Sequence, residues 1–245
     1  SNFEKSLKFK ADILLIQEHW RGPDDINSWQ SKARHAGWHG AWSLGVRNPV
    51  TGRHTSGVAV LTRETRPIVQ VGTADDRMIT AMVPWTRRTA LMVTSVYCWD
   101  SKKHDAANKN AERHKVLSQR AREYGRVPWI IGGDWNQPTE VPRFTGLNPT
   151  IVSTGEPTFE NKTCIDWSAV SNGLGTKVYH DSTLHGHKPV EMIIMRTPDD
   201  MLGKKLFTPH PFDGILKKQA KQNPPEEGKY YDLNGTLEDQ WEVWN

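Results

Sequence analysis

The sequence predicts a layered α/β or α+β domain, because short strand-like runs outnumber the helices and the helices interrupt them. Gly, Pro and Asn or Asp clusters bound most of the seven runs, which cover residues 13–16, 58–61, 68–71, 78–83, 91–97, 129–131 and 190–195. Runs 13–16 and 129–131 are continuously apolar, which is typical of strands buried on both faces. A chain of 245 residues is long enough to bury a core without disulfides.

Two helices are expected between these strands. The longer one begins at a cap, Asp105, and ends before Gly125, which suits a left-handed stop. Its inner stripe recurs at spacings of three and four and consists of Ala107, Ala111, His114, Leu117, Ala121 and Tyr124. The shorter helix spans about residues 24–37, and its inner side consists of Ile26, Trp29, Ala33 and Ala36.

The chain is expected to divide near Thr197 into two parts. Residues 1–196 hold the strands, whereas residues 197–245 form an extension with a linker-like QNPPEEG segment at 222–228. A short acidic helix is expected at 236–244, because Leu237, Trp241 and Trp244 recur on one helical face.

Composition excludes several classes of protein. The net charge of +4 is compatible with a polyanionic partner. Two cysteines, Cys98 and Cys164, cannot build a disulfide scaffold. No apolar run approaches the roughly 18–20 residues of a membrane span, and no signal peptide pattern opens the sequence. We therefore expect a soluble protein without a membrane partner and with an intracellular location, the nucleus included.

Polar residues stand at the ends of four apolar runs, where sites in layered sheets gather: Glu18 in ILLIQEHW, Tyr97 in TSVYCWD, Asp134 and Asn136 in WIIGGDWNQP, and Asp166 in TCIDWSAVS. In IIGGDWN the two glycines permit close backbone approach, and Asp134 and Asn136 point the same way. Carboxylate oxygens suit a hard cation such as Mg²⁺. The alternative is an Asx-type turn before Pro138.

Histidines and one aspartate crowd the segment before the last run, at His180, Asp181, His185 and His187. Imidazole and carboxylate are zinc ligands, but this spacing matches no standard zinc motif. The segment is otherwise a polar surface loop, or it holds a single histidine that a carboxylate orients and that donates to a phosphate.

Five short motifs in this order resemble the endonuclease/exonuclease/phosphatase superfamily: QE at 17–18, VY at 96–97, GDWN at 133–136, IDW at 165–167 followed by Ser171, and HKPV at 187–190. GVAVLTR at 57–63 is similar to the second strand region of that family. The resemblance runs from about Ala11 to Met195, and it is specific because all five motifs keep the order and spacing. It implies a four-layer α/β/β/α sandwich of two mixed sheets with helices outside.

The resemblance also implies roles for the matching residues. Glu18 falls on the metal-binding glutamate, with Mg²⁺ as the cation and Mn²⁺ as an alternative. Tyr97 falls on a tyrosine that hydrogen-bonds the phosphate, and Asn136 on a residue that positions it. Asp134 falls on the aspartate that orients or deprotonates the attacking water.

His187 falls on the family histidine and Asp166 on the aspartate that pairs with it, so that a cationic ring stabilises the phosphate. One position departs from the family, which reads Ser-Asp-His where this sequence reads His185-Gly186-His187. Either a neighbour such as Asp181 replaces the missing carboxylate, or activity is reduced or lost.

A second departure concerns the family's first strand, which carries an early active-site asparagine. That strand should precede the Glu18 strand by a few tens of residues, whereas the sequence begins at Ser1. The expected sandwich therefore lacks this strand, and Asn2 is a poor substitute because no strand-like run surrounds it.

Together these features predict a Mg²⁺-dependent phosphodiester hydrolase, foremost a nucleic-acid endonuclease of the apurinic/apyrimidinic or retrotransposon kind acting on DNA rather than RNA. Arg47, Arg53 and His54 flank one loop. Further basic residues surround the long helix, namely Lys102, Lys103, Lys109, Arg113, Lys115, Arg120 and Arg122. The alternatives are a catalytically impaired nucleic-acid-binding or interaction domain and a phosphatase of the same fold.

Overall fold

A computed structural model describes residues 2–63, 68–85, 89–125, 127–140, 144–159, 163–172, 174–180, 187 and 189–195. The expected boundary near Thr197 and the expected helix at 236–244 lie outside these residues. Asp181, His185 and Gly186 lie outside them as well.

The described chain alternates strands with three helices. The helices are α1 (Asn2–Ser6), α2 (Pro23–His35) and α3 (Ala106–Glu123). The strands are β1 (Ile13–Ile16), β2 (His39–Trp42), β3 (Val46–Arg47), β4 (His54–Thr55), β5 (Ala59–Thr62), β6 (Val69–Gln70), β7 (Met78–Pro84), β8 (Ala90–Tyr97), β9 (Trp129–Asp134), β10 (Thr150–Val152), β11 (Asp166–Val170), β12 (Gly175–His180) and β13 (Val190–Met195).

Two sheets lie at the centre of the fold. The larger has the strand order β10-β11-β9-β8-β7-β6, and the smaller has the order β1-β5-β2. Strands β8 and β9 are parallel, whereas the other neighbours in the two sheets are antiparallel. Strands β3 and β4 form one separate hairpin, and β12 and β13 form another.

Four layers follow from the side chains that pack between these elements. The core between the sheets includes Val60 of the smaller sheet and Val93 and Ile130 of the larger. On the outer face of the larger sheet, α3 contributes Leu117 and Ala121, which lie among Trp129, Ile131 and Trp167. On the outer face of the smaller sheet, Phe3 of α1, Leu7 directly after α1 and Ala33 of α2 lie beside Leu61. The expected α/β/β/α sandwich is confirmed.

The apolar runs predict burial correctly in the larger sheet, but they predict it incorrectly for one edge strand of the smaller sheet. Residues 129–131 are buried, as expected for a strand covered on both faces. The run at 13–16 is only half-buried along its whole length. It forms β1, which lies at the edge of the three-stranded sheet rather than inside it.

Helix α3 buries a different stripe from the expected one. Ala107 and Ala111 are exposed, and the buried set consists of Ala106, Asn110, Arg113, His114, Leu117, Ser118, Arg120 and Ala121. Asn110 anchors the first turn, because its side chain accepts from the Trp99 N–H at 2.8 Å and donates to the Trp99 carbonyl at 2.9 Å. A pattern based on apolar residues alone misses this polar anchor.

The expected cap residue of α3 is in the N-cap position but makes no capping bond. Asp105 occupies the N-cap position with a left-handed φ of 60°, and its side chain makes no capping hydrogen bond. Its carboxylate instead accepts from the Asn108 amide at 2.6 Å. At the other end Gly125 has a φ of 35°, so the expected left-handed stop is confirmed.

Two of the basic residues that surround the long helix, α3, are buried. Arg113 forms an ion pair with Asp75 at 2.6 Å. Arg120 donates to the Thr80 hydroxyl at 2.9 Å and to the Thr73 carbonyl at 2.8 Å. Both arginines therefore tie α3 to the larger sheet and its loops, and they are removed from the basic surface that the sequence suggests.

Helix α2 agrees with expectation to within two residues at its ends. Pro23 opens it after Gly22, and Ile26 and Ala33 are buried. Before β1, Asn2 lies in the short helix α1 and not at a strand end. None of the helices in the described ranges is both long and apolar enough to cross a bilayer.

Candidate active site

The ends of β8, β9 and β11 meet at one edge of the larger sheet. Because β8 and β9 are parallel, their carboxyl ends coincide, and the register pairs Tyr97 with Asp134. Strand β11 is antiparallel to β9, and its first residue, Asp166, also pairs with Asp134. Asp166 therefore begins a strand rather than ending one, and the reversed direction brings it to the same edge.

Two glycines let β9 approach its neighbours closely just before this edge. Gly133 has a φ of 152°, and a Cβ there would overlap the Val96 carbonyl oxygen on β8. A Cβ on Gly132 would press against Leu15 of the facing sheet at 2.9 Å and against the Ser168 hydroxyl. The close approach expected from the IIGGDWN sequence is confirmed.

The end of β1 is joined to the end of β8 by a chain of hydrogen bonds. The Gln17 amide donates to the Ser95 hydroxyl at 2.9 Å, and that hydroxyl donates to the Ile16 carbonyl at 3.1 Å. Glu18 follows with a left-handed φ of 53°. Its carboxylate accepts a hydrogen bond from the Tyr97 hydroxyl, so the two sheets bring both residues into contact.

A second group of side chains runs through Asp134, His187 and Asp166. Asp134 is 5% exposed, and its carboxylate accepts a hydrogen bond from the Asn136 backbone N–H at 2.9 Å. The His187 ring lies between the two aspartates, with Nδ1 at 2.9 Å from Asp166 Oδ2 and Nε2 at 3.9 Å from Asp134 Oδ2. The Asx-type turn is therefore present and coexists with the carboxylate–histidine group.

The electrostatics of this group differ from those of free side chains. Burial, followed by the charge of Asp166, raises the pKa of Asp134 to about 7. Burial opposes the charge of His187, but the hydrogen bond and the charge of Asp166 outweigh it and raise the His187 pKa. Burial and the hydrogen bond to Glu18 raise the pKa of Tyr97, so its hydroxyl remains a donor.

We expect the raised pKa of His187 to depend on Asp166. In Asp166→Asn the pKa should fall, because the hydrogen bond to a charged acceptor and its Coulomb attraction are both lost. Titration of the ring by NMR measures the change, and His35→Ala, which removes an exposed histidine on α2, provides an assignment control. A His187 pKa that stays the same in Asp166→Asn would contradict the pairing.

Arg77 belongs to this site, although the sequence motifs do not mark it. Its guanidinium carbon lies 4.4 Å from the centre of the Tyr97 ring and 4.8 Å from the Trp99 ring. It donates to the Cys98 carbonyl at 3.2 Å, and the Asn136 side chain donates to the same oxygen at 2.9 Å. The only sequence signal is a cation directly before the run at 78–83, which pairs with the Tyr97 strand.

His19, the residue after Glu18, has a structural role instead. Its Nε2 donates to the Ser43 carbonyl at 2.9 Å, and its Nδ1 accepts the Arg21 backbone N–H at 3.1 Å. Burial lowers the His19 pKa to about 4, so the ring is neutral and fully bonded. It fixes the backbone that follows Glu18.

The carboxylates at this edge suit a hard divalent cation, because oxygen donors are what Mg²⁺ and Mn²⁺ take. Glu18 is one candidate ligand. A second candidate site consists of Asp134, Asp166 and His187, whose possible ligand atoms lie within 4.8 Å of one another. In the second group the ring is bonded to Asp166 and held towards its protonated form, which cannot ligate a metal. A hard divalent cation is therefore better suited to Glu18 than to the aspartate–histidine group.

The observed fold is a four-layer sandwich with acidic residues at one sheet edge, and comparison with known proteins agrees with it. The model of the endonuclease/exonuclease/phosphatase family matches residues 4–183. The chain belongs to that family. Among curated protein sequences, none matches this chain.

Several solved structures share the fold. The catalytic domain of human Nocturnin is 14% identical with a TM-score of 0.55, over 79% of this chain and 87% of that one. The endonuclease domain of TRAS1, a telomere-specific non-LTR retrotransposon, is 20% identical with a TM-score of 0.52, over 78% and 88%. A mannosyl-6-phosphatase from Bacteroides thetaiotaomicron is 13% identical with a TM-score of 0.52, over 79% and 90%.

Proposed function

We propose that this chain is a divalent-cation-dependent phosphodiester hydrolase that acts on nucleic acid. The observation that carries the proposal is the meeting of two groups at one sheet edge. One is the hydrogen-bonded pair of Tyr97 and Glu18, and the other is the line of Asp134, His187 and Asp166. A cation ligand, a base, a cationic donor and a hydroxyl donor are what cleavage of a phosphate ester requires.

Each side chain has a role that its surroundings support. Asp134, with a pKa of about 7, is suited to accept a proton from the attacking water near neutral pH. His187 is held as a cation by Asp166 and stabilises the negative charge that develops on the phosphate oxygens. Tyr97 and Asn136 orient the phosphate. A divalent cation at Glu18 would neutralise a phosphate oxygen and the developing charge.

Two small phosphate esters test the reaction class. We expect hydrolysis of bis(p-nitrophenyl) phosphate in Mg²⁺ or Mn²⁺, abolition by EDTA, and a slower reaction with p-nitrophenyl phosphate. A clear preference for the monoester would favour a phosphatase, an activity named for one protein of the same fold. Absence of turnover on either ester and on plasmid DNA would favour the catalytically impaired binding domain, which the His-Gly-His sequence at 185–187 also suggests.

Glu18→Gln tests the placement of the cation. We expect the Mn²⁺ concentration for half-maximal hydrolysis to rise at least about tenfold, because affinity for a hard cation depends on the number of charged ligands. Glu123→Gln removes an exposed carboxylate on α3 and serves as the control. If Glu18→Gln behaves like this control while Asp166→Asn loses the response to Mn²⁺, the cation is held by the aspartate–histidine group instead.

DNA is the proposed polymer, with RNA as the second choice. Support comes from the mildly basic charge of the chain and from the fold it shares with a retrotransposon endonuclease domain. Cleavage of matched DNA and RNA oligonucleotides, with and without an abasic position, separates these substrates. Retention of full activity on all of them would indicate a nuclease without base or sugar preference.

A further inference from the structure

An exposed apolar and basic surface adjoins Glu18. In the described part of the chain six large apolar side chains are exposed, and four of them belong to residues 20–50. We name them, with two exposed arginines, the Trp20 surface: Trp20, Leu44, Val46, Arg47, Val50 and Arg53. Val50, at 91%, and Trp20, at 56%, are the most exposed of the apolar set.

Backbone contacts hold this surface beside the candidate active site. The Trp20 N–H donates to the Ser56 carbonyl at 2.9 Å, and the Gly45 N–H donates to the Arg21 carbonyl at 2.8 Å. The hairpin of β3 and β4 is thereby fixed against the segment that leaves Glu18. Trp20 is two residues after Glu18, so their Cα atoms are at most about 7.6 Å apart.

Positive charge predominates in the part of the chain that carries this surface, apart from Asp24 and Asp25 in the first turn of α2. Residues 26–63 contain no Asp or Glu, but they contain five Lys or Arg residues and three histidines. Arg47 and Arg53 stand in or beside the hairpin strands, and both are exposed. A long acid-free segment next to a site for phosphate attracts a polyanion rather than a basic or neutral partner surface.

We propose that the Trp20 surface binds a single strand of nucleic acid, with a base stacked on Trp20 and neighbouring phosphates on Arg47 and Arg53. Stacking on an aromatic side chain requires a base whose face is free, which a single strand offers and a duplex interior does not. The inference takes from the proposed function only that a phosphate lies at Glu18. It adds the strand form and the residues that guide it.

The main test measures binding of the full chain to a fluorescent single-stranded DNA oligonucleotide in EDTA. Trp20→Ala should raise Kd about 5- to 150-fold, the range for one lost base stack, and Trp20→Phe should restore most of the affinity. Ile193→Ala, which truncates an exposed side chain on β13, is the matched control. An unchanged Kd in Trp20→Ala would overturn the proposal.

Two further measurements separate stacking from charge and from folding. With an oligonucleotide of the same length made entirely of abasic nucleotides, Trp20→Ala should change Kd little. An equal loss of affinity on this oligonucleotide would contradict stacking. Arg47→Ala with Arg53→Ala should lower the salt slope of log K by about 1.4. Lys8→Ala with Lys10→Ala removes the same charge from exposed positions between α1 and β1 and should leave the slope unchanged.

Val50→Asp provides a test that does not depend on folding, because the side chain at this position is almost fully exposed. It should weaken binding several-fold by repelling phosphates. Binding to phosphatidylserine vesicles that requires Trp20, with oligonucleotide binding that does not, would assign the surface to a membrane and overturn the proposal.

The outcomes of the two proposals are separable. If the chain binds the oligonucleotide through Trp20 in EDTA but cleaves no ester in Mg²⁺, the proposed function is contradicted and this inference is supported. If the chain hydrolyses bis(p-nitrophenyl) phosphate but binds oligonucleotides independently of Trp20, the proposed reaction class is supported and this inference is contradicted.

Discussion

Asp134→Asn is expected to lower kcat for cation-dependent phosphodiester hydrolysis by about 10²- to 10⁴-fold, the usual effect of losing a general base. Burial and the charge of Asp166 raise the pKa of Asp134 to about 7, which suits a group that accepts a proton near neutral pH. Asparagine keeps the shape and the hydrogen bond from the Asn136 N–H but cannot take a proton. The assay is kcat on bis(p-nitrophenyl) phosphate at saturating Mn²⁺.

Asp12→Asn is the matched control, because Asp12 is an exposed aspartate just before β1, at the opposite end from Glu18. Its kcat should equal that of the wild type. If Asp134→Asn retains kcat and changes only KM, Asp134 binds substrate or cation and is not the base.

Asp134→Asn should also stabilise the cation-free protein at neutral and alkaline pH. A carboxyl whose pKa is raised in the folded state binds more protons folded than unfolded between its ordinary value of 3.8 and about 7. Stability therefore falls as the pH rises through that window. Asp134→Asn removes this loss, and we expect its free energy of unfolding to exceed that of the wild type by about 1–3 kcal/mol at pH 8. The excess should vanish near pH 4.

The sequence predicts the central strands of the larger sheet well, because they are buried on both faces. β7, β8 and β9 are expected from apolar runs and are present within a few residues. β2, with the sequence HGAW, has no comparable run, because its faces pack through one alanine and one tryptophan. β11 begins with a charged residue, which breaks the apolar pattern that marks the other strands.

Side chains whose burial depends on distant partners are the ones that sequence pattern misassigns. Arg113 and Arg120 look like solvent-facing cations on a helix, and only contacts with Asp75 and Thr80 explain why they are buried. Arg77 is missed for the same reason, because its role depends on the Tyr97 ring and the Cys98 carbonyl. Tyr97 and Asp134 can be predicted together because the parallel strands β8 and β9 end at a common edge.

Gly133→Ala is expected to destabilise the fold by about 3 kcal/mol or more. The new Cβ would overlap the Val96 carbonyl oxygen, which is backbone of the adjacent strand and cannot move as a side chain would. The φ of 152° adds strain of its own for any residue with a Cβ. Relief requires β9 to move away from β8 near the end of their parallel ladder, an overpacking cost at the upper end of the usual range.

Gly155→Ala separates the clash from the backbone strain. Gly155 has a φ of 73°, but a Cβ there would meet no atom within 4 Å, so only the left-handed penalty of about 1–2 kcal/mol applies. Urea unfolding of both variants measures the difference, and equal losses would show that β8 and β9 tolerate the added carbon. Because Gly133 directly precedes Asp134, separating the strands would also move Asp134 away from Tyr97. We therefore expect Mn²⁺ to raise the Tm of the wild type and of Gly155→Ala, but not that of Gly133→Ala.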